Sequence, residues 1–166
     1  MSNKGYTRTK NKAEELLKKY KIEEPIVPIF DIPEQEEVKI NFIKMPDKLR
    51  DISGFFDPKK KIIFVNTQDC PNRQTFTVAH EFGHYILKHN PNKYGVLPRW
   101  AGILGSSPVE REANFFAANL LVPDEMLKKA MDKYALDNSE VSIALLAKMF
   151  GVSREVIKIR IKELGL

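Results

Sequence analysis

Residues 71–88 read Pro71-Asn72-Arg73-Gln74-Thr75-Phe76-Thr77-Val78-Ala79-His80-Glu81-Phe82-Gly83-His84-Tyr85-Ile86-Leu87-Lys88. Phe76, Ala79, Phe82, Gly83 and Ile86 share one face at helical spacing. Pro71 suits the first turn, where its missing N–H would have had no partner. The stretch reads as one packed helix running to about Lys88. Within it His80 and His84 stand about 40° apart around the axis, so both imidazoles can converge on one ion. Glu81 is turned ~100° from His80 and ~60° from His84, where its carboxylate flanks the ion without ligating it. It is then free to take a proton from a water that the ion polarises. The plainer alternative is a surface helix with two incidental histidines. Ala79, Phe82 and Gly83 argue against it, because they mark a packed helix.

Working outward, the preceding residues predict three strands. Val38–Ile43 alternates apolar with polar, which predicts one buried and one wet face. Residues 52–56 and 61–66 flank Asp57-Pro58-Lys59-Lys60, a hairpin turn by composition. Before them, Ala13, Leu16, Leu17 and Tyr20 lie at helical spacing between about Lys10 and Tyr20. Downstream, residues 90–108 hold three prolines, three glycines and the only tryptophan, and are expected to form a long surface loop. Helices are predicted at 108–121, 123–136, 139–150 and 153–164. Gly151 ends one of them and Ser153 caps the next. The expected fold is α+β: a small antiparallel or mixed three-stranded sheet packed on a helical core, with helix-turn-helix-like helices at the C-terminus. Residues 1–123 are read as the core with its basic arm, and 124–166 as a helical segment packed on it as one domain.

The 166 residues carry 27 Lys+Arg against 22 Asp+Glu, and 43% are hydrophobic, as in an ordinary globular domain. Seven basic and two acidic residues lie in 1–21, so the whole excess of +5 sits on that arm and 22–166 balances to zero. A protein built to grip nucleic acid spreads its positive charge over a folded face, which this one does not. No apolar run reaches the ~18 residues of a membrane span, and the basic N-terminus lacks the apolar stretch of a signal peptide. One cysteine, Cys70, allows no intramolecular disulfide and fits a reducing cytoplasm. It stands ten residues before His80, at the far end of that helix and too distant to ligate, and reads as a small buried residue.

A catalytic zinc takes three protein ligands and keeps one position open. His89 lies nine residues from His80, which continues the helix to its opposite face, so it reads as a helix-end histidine near terminal carbonyls. The third ligand is then a carboxylate on another helix, with Glu110 and Glu112 both candidates.

Two segments carry a family resemblance. Arg73 to His84, and Glu110-Arg111-Glu112-Ala113-Asn114-Phe115-Phe116-Ala117-Ala118-Asn119-Leu120-Leu121-Val122-Pro123, resemble the signatures of ImmA/IrrE-type zinc metallopeptidases. Ser53–Asp57 and Ile62–Asn66 also match, and the resemblance spans roughly residues 10–165. It implies a gluzincin of the thermolysin type, in which the ligand Glu stands four residues before an Asp or Asn. Glu110 and Asn114 have that spacing, whereas Glu112 would pair with Phe116. On this reading His80, His84 and Glu110 bind one Zn²⁺, Asn114 supports a ligating histidine, Glu81 is the general base, and Glu112 is a surface carboxylate. The resemblance further implies a protein substrate, a helix-turn-helix repressor of a mobile element, prophage or stress response.

His89, Tyr94, Arg99 and Trp100 lie between the ligand helices, where an oxyanion-stabilising donor is wanted, and none is singled out. Leu145 to Ile161 resembles a helix-turn-helix, with Arg154, Lys158, Arg160 and Lys162 as the residues that would face DNA. Residues 124–166 hold eight basic and seven acidic side chains, so packing on the core or docking a partner is the favoured role. The rival to peptide hydrolysis is a non-proteolytic regulator that binds DNA, or a repressor or toxin partner, and keeps zinc as a structural or sensing ion.

Overall fold

In the computed structural model, residues 3–89, 97–100 and 107–166 are described, with the backbone alone for 3–5 and 97–100. The elements run α1 (Asn3–Lys19), a one-turn α2 (Ile32–Gln35), β1 (Lys39–Ile43), β2 (Ile52–Asp57), β3 (Ile62–Asn66) and α3 (Pro71–Ile86). After these come β4 (Leu97–Trp100), α4 (Pro108–Leu121), α5 (Asp124–Tyr134), α6 (Glu140–Phe150) and α7 (Arg154–Leu164). The fold is α+β, as expected.

The three predicted strands form one mixed sheet. β1 runs parallel to β3, and β2 pairs antiparallel with β3 across the predicted turn. Asp57 closes that turn by accepting from the amides of Lys59 and Lys60 at 3.0 and 3.2 Å. One expectation needs correcting: the interval 90–108 is not all loop. Leu97–Trp100 adds a fourth strand antiparallel to β2, at the sheet edge. Pro98 is tolerated there because an edge strand need not donate on both sides. The alternation in β1 also breaks at Phe42, which is half exposed and packs against Phe30 with ring centres 5.8 Å apart.

Phe56, Ile63 and Val65 bury one face of the sheet, and α3 lies across it with Val78, Ala79 and Phe82 buried. Gly54 permits this approach. A Cβ there would stand 2.5 Å from the Thr77 methyl of α3 and 2.6 Å from the Phe64 carbonyl oxygen. Gly83 does the same on the other side of α3, where a Cβ would meet the Phe116 ring of α4 at 2.9 Å. Phe82 and Phe116 are fully buried, each contributing ~2–3 kcal/mol of apolar burial to this seam. Thus α3 is clamped between the sheet and α4 through two positions that lack side chains.

The helix α1 begins earlier than its apolar spacing predicts, and its added turn carries Tyr6, set edge-on against Phe115 at 4.6 Å. Ser107, Ser139 and Ser153 cap α4, α6 and α7, each accepting from the amide three residues on. One hydrophobic cluster runs from Ala13 and Leu17 through Phe82 and Phe116 to Leu146, Phe150 and Ile157. Arg160 of α7 is buried at 1% exposure and ties this end together. Its Nε donates to the Val122 carbonyl at 3.0 Å, and its guanidinium pairs with Asp124 and with Glu163. That removes Arg160 from the DNA-facing set, and Lys158 is engaged with Glu140 at 2.6 Å.

Candidate metal centre

His80 and His84 lie one turn apart on the face of α3 turned toward α4, and both are 1% exposed. Opposite them, Pro108 opens α4 and the Ser107 hydroxyl accepts from the Glu110 amide at 3.2 Å. This cap fixes the turn from which Glu110 reaches across. The three side chains close a triangle. His80 Nε2 lies 3.1 Å from His84 Nε2 and 3.1 Å from Glu110 Oε2, and His84 Nε2 lies 3.4 Å from Glu110 Oε1.

These separations fit a tetrahedral ion. Donors ~2.0–2.1 Å from a tetrahedral zinc stand about 3.3–3.4 Å from one another. Two imidazoles and one carboxylate, all within 4.8 Å of one another, are also a chemically suitable donor set for a transition ion. Burial, and then the neighbouring imidazoles of His80 and His89, push His84 down to about 2, so it is neutral near pH 7 and offers a lone pair. Behind His80, Nδ1 lies 2.8 Å from Asn114 Oδ1. The amide oxygen accepts the Nδ1 proton, which leaves Nε2 bare toward the triangle. Glu81 is fully buried beside them on α3. The structure therefore brings together His80, His84, Glu110 and Asn114, and buries Glu81 next to His80 on α3.

Two residues stand elsewhere than the sequence reading placed them. His89 is not on the far face of the helix. The helix ends at Ile86, Lys88 takes a left-handed conformation (φ +56°), and the His89 amide donates back to the His84 carbonyl at 3.0 Å. Angular counting stops where the helix stops, so the ring returns to the His84 side. His89 Nδ1 lies 2.9 Å from His84 Nδ1, and its Nε2 lies 3.1 Å from Glu112 Oε2. Glu112 is accordingly a partner of His89 rather than a solvated carboxylate. No spacing rule in the sequence marks the turn at Lys88 that brings His89 to Glu112.

Of the remaining candidates, Tyr94 lies outside the described residues. Arg99 and Trp100 lie on β4, with Trp100 in register with Ile52. Cys70 is exposed, not buried. It is the residue before the first turn of α3, at the end far from the histidines, where Pro71, Asn72 and Arg73 are exposed as well. No helix among the described residues is long and apolar enough to cross a membrane.

Comparison with known proteins places the chain in a family. Residues 34–162 match the IrrE N-terminal-like domain, a peptidase family. The chain is 32% identical over 110 residues to the radiation response metalloprotease IrrE of Deinococcus radiodurans, which covers 66% of this chain and 32% of that protein. It is 29% identical over 164 residues to the uncharacterized immunity region protein 2 of Bacillus phage phi105, covering 96% of this chain and 94% of the phage protein. A Mycobacterium tuberculosis transcriptional regulator shares the fold at a TM-score of 0.61 and 16% identity, over 91% of this chain and 45% of that one. The chain thus spans about a third of IrrE and nearly all of the phage protein. Most of its length, including both histidines, Glu81 and Glu110, falls inside the matched region, and the chain belongs to the IrrE N-terminal-like domain family of peptidases.

Proposed function

We propose that this chain is a cytoplasmic zinc endopeptidase that cleaves a protein substrate, a helix-turn-helix repressor of a mobile element, prophage or stress response. The observation that carries the reading is the closed triangle of His80, His84 and Glu110, with Glu81 buried beside it. In this reading those three residues hold one Zn²⁺ per chain, since two imidazoles and a carboxylate are a zinc peptidase's donor set. Bound there, zinc supplies Lewis acidity toward a water and toward the scissile carbonyl. Asn114 keeps His80 in its ligating tautomer. Glu81 takes the proton of the attacking water and delivers it to the leaving amine, one carboxylate serving as base and then as acid.

The repressor substrate draws support from the relative of nearly equal length, which is named for a phage immunity region. Segments 1–123 and 124–166 act as one unit in this reading. The buried Arg160 favours a packing role for the C-terminal helices over DNA contact, while Arg154, Lys158 and Lys162 stay on the surface, Lys158 in an exposed pair with Glu140. Glu81 also weighs against a purely structural ion, because holding a metal does not require it.

Glu81→Gln tests the reading, since it keeps shape but cannot accept the proton. Zinc content and folding should stay normal while cleavage of a co-expressed repressor falls by ~10²–10⁴-fold. Loss of repression without shortening of the repressor, equal in wild type and variant, would show that the protein acts by binding alone.

A further inference from the structure

We propose that His89 and Glu112 form a positioning relay behind the metal centre, in which Glu112 fixes His89 and His89 fixes His84. The proposal rests on the metal reading above and concerns residues that touch neither ion nor substrate.

Counting protons assigns every bond in the relay. His84 Nε2 faces His80 Nε2 and Glu110, so as a ligand it presents a lone pair there. Its single proton then sits on Nδ1, 2.9 Å from His89 Nδ1. Two ring nitrogens at that distance share one proton, so His89 Nδ1 accepts. The His89 proton is thereby placed on Nε2, which donates to Glu112 Oε2 at 3.1 Å. Reversing any bond moves the His84 proton to Nε2, into the space where a lone pair is needed. The chain of donors has one direction.

The backbone is shaped to the same end. The left-handed Lys88 returns the chain so that the His89 amide donates to the His84 carbonyl, the helix-ending bond of a Schellman turn. His89 is therefore joined to His84 twice, through backbone and through side chain. Its side chain is 7% exposed and that of Glu112 is 30% exposed, so the relay runs from the buried ligand out to the rim of α4. His80 and His84 are thus held from behind by different devices, both on α4 at their outer ends. A single amide, Asn114, serves His80, and a His–Glu pair serves His84. Such outer partners set the orientation and basicity of a ligating imidazole.

The test is zinc affinity of the intact chain, measured by chelator competition. His89→Phe, which fills the space without an acceptor, should weaken zinc by ~10–100-fold. His89→Asn should recover most of that loss, because its amide oxygen can stand where Nδ1 accepts. Glu112→Leu should weaken zinc too, and His89→Phe/Glu112→Leu should be no worse than His89→Phe alone, since Glu112 acts only through His89. Long-range ¹H–¹⁵N spectra of the zinc-loaded wild type should show the His84 proton on Nδ1 and the His89 proton on Nε2, whatever the variants do to folding. Unchanged zinc affinity in His89→Phe, multiplicative losses in the double variant, or a His89 proton on Nδ1 would each overturn the relay. A wild-type chain that takes up no zinc would overturn the metal reading itself.

Discussion

Replacing Gly83 by Ala is expected to damage the metal centre more than the fold. A Cβ at this position would lie 2.9 Å from Phe116 Cδ1, 3.4 Å from Phe116 Cγ and 3.5 Å from Ala113 Cα. Carbon atoms rest at ≈ 3.5–4.0 Å, so α4 must retreat from α3 by about 0.6 Å or more. The Phe116 ring cannot swing aside, being fully buried. Overpacking of this kind costs ~1–3 kcal/mol, and the better helix propensity of Ala returns ~0.8–1.0 kcal/mol. The net loss of stability is then about 0–2 kcal/mol. Glu110 rides on the same helix, and its 3.1 and 3.4 Å separations from the histidines widen with the retreat. A site must keep its groups within ≈ 0.5 Å of the working geometry. Zinc affinity should therefore fall by about tenfold or more. Urea denaturation of the EDTA-treated protein gives the first quantity and chelator competition the second. A variant that loses over 3 kcal/mol of stability yet binds zinc like wild type would refute the claim that Gly83 sets the distance between the ligand helices.

Arg160→Met should destabilise the chain by ~3 kcal/mol or more in urea, because it strips the Val122 carbonyl and Asp124 of a buried donor. Adding Asp124→Asn should restore part of that loss, and a single-variant cost under ~1 kcal/mol would contradict the role given to Arg160. Hydrogen bonds from Ser139 and then Ser142 hold Asp137 down to about 2, below its ordinary 3.8. A carboxylate depressed in the folded state contributes stability that is present above the unfolded value and is lost as pH falls from ~4 toward ~2. Ser142→Ala should raise the Asp137 midpoint in an NMR titration and flatten acid unfolding in that window. An unmoved midpoint would show that the Ser142 contact is not what holds it.

The arrangement of His80, Glu81 and His84 on α3 is readable because a regular helix converts spacing directly into direction. Spacing alone leaves Glu110 and Glu112 both open, and only the family resemblance pairs Glu110 with Asn114, whose amide oxygen meets His80 in the structure. His89 was misplaced because the same rule was extended past Ile86, and a left-handed lysine carries no compositional mark as a glycine would. The fourth strand was hidden for a related reason. Pro98 and the surrounding glycines read as loop, and only the bare edge of β2 gives Leu97–Trp100 a partner. Gly83 and Gly54 were legible as small residues, but the closeness of the helix and sheet they admit depends on neighbours distant in sequence.

Two donors stand on α3 and the third on α4, so a bound ion staples the two helices together. Anything that binds only the closed arrangement adds RT ln(1 + [L]/Kd) to its stability, about 2.7 kcal/mol at a free concentration one hundred times Kd. The metal-free chain should open first at the start of α4, where Glu110 and the Ser107 cap sit close to the surface. Proteases that sample open states would meet that end before any other part of the seam. Metal supply would then govern how long each copy of the chain survives, and the pool of folded protein would fall more steeply than occupancy alone when the ion is scarce.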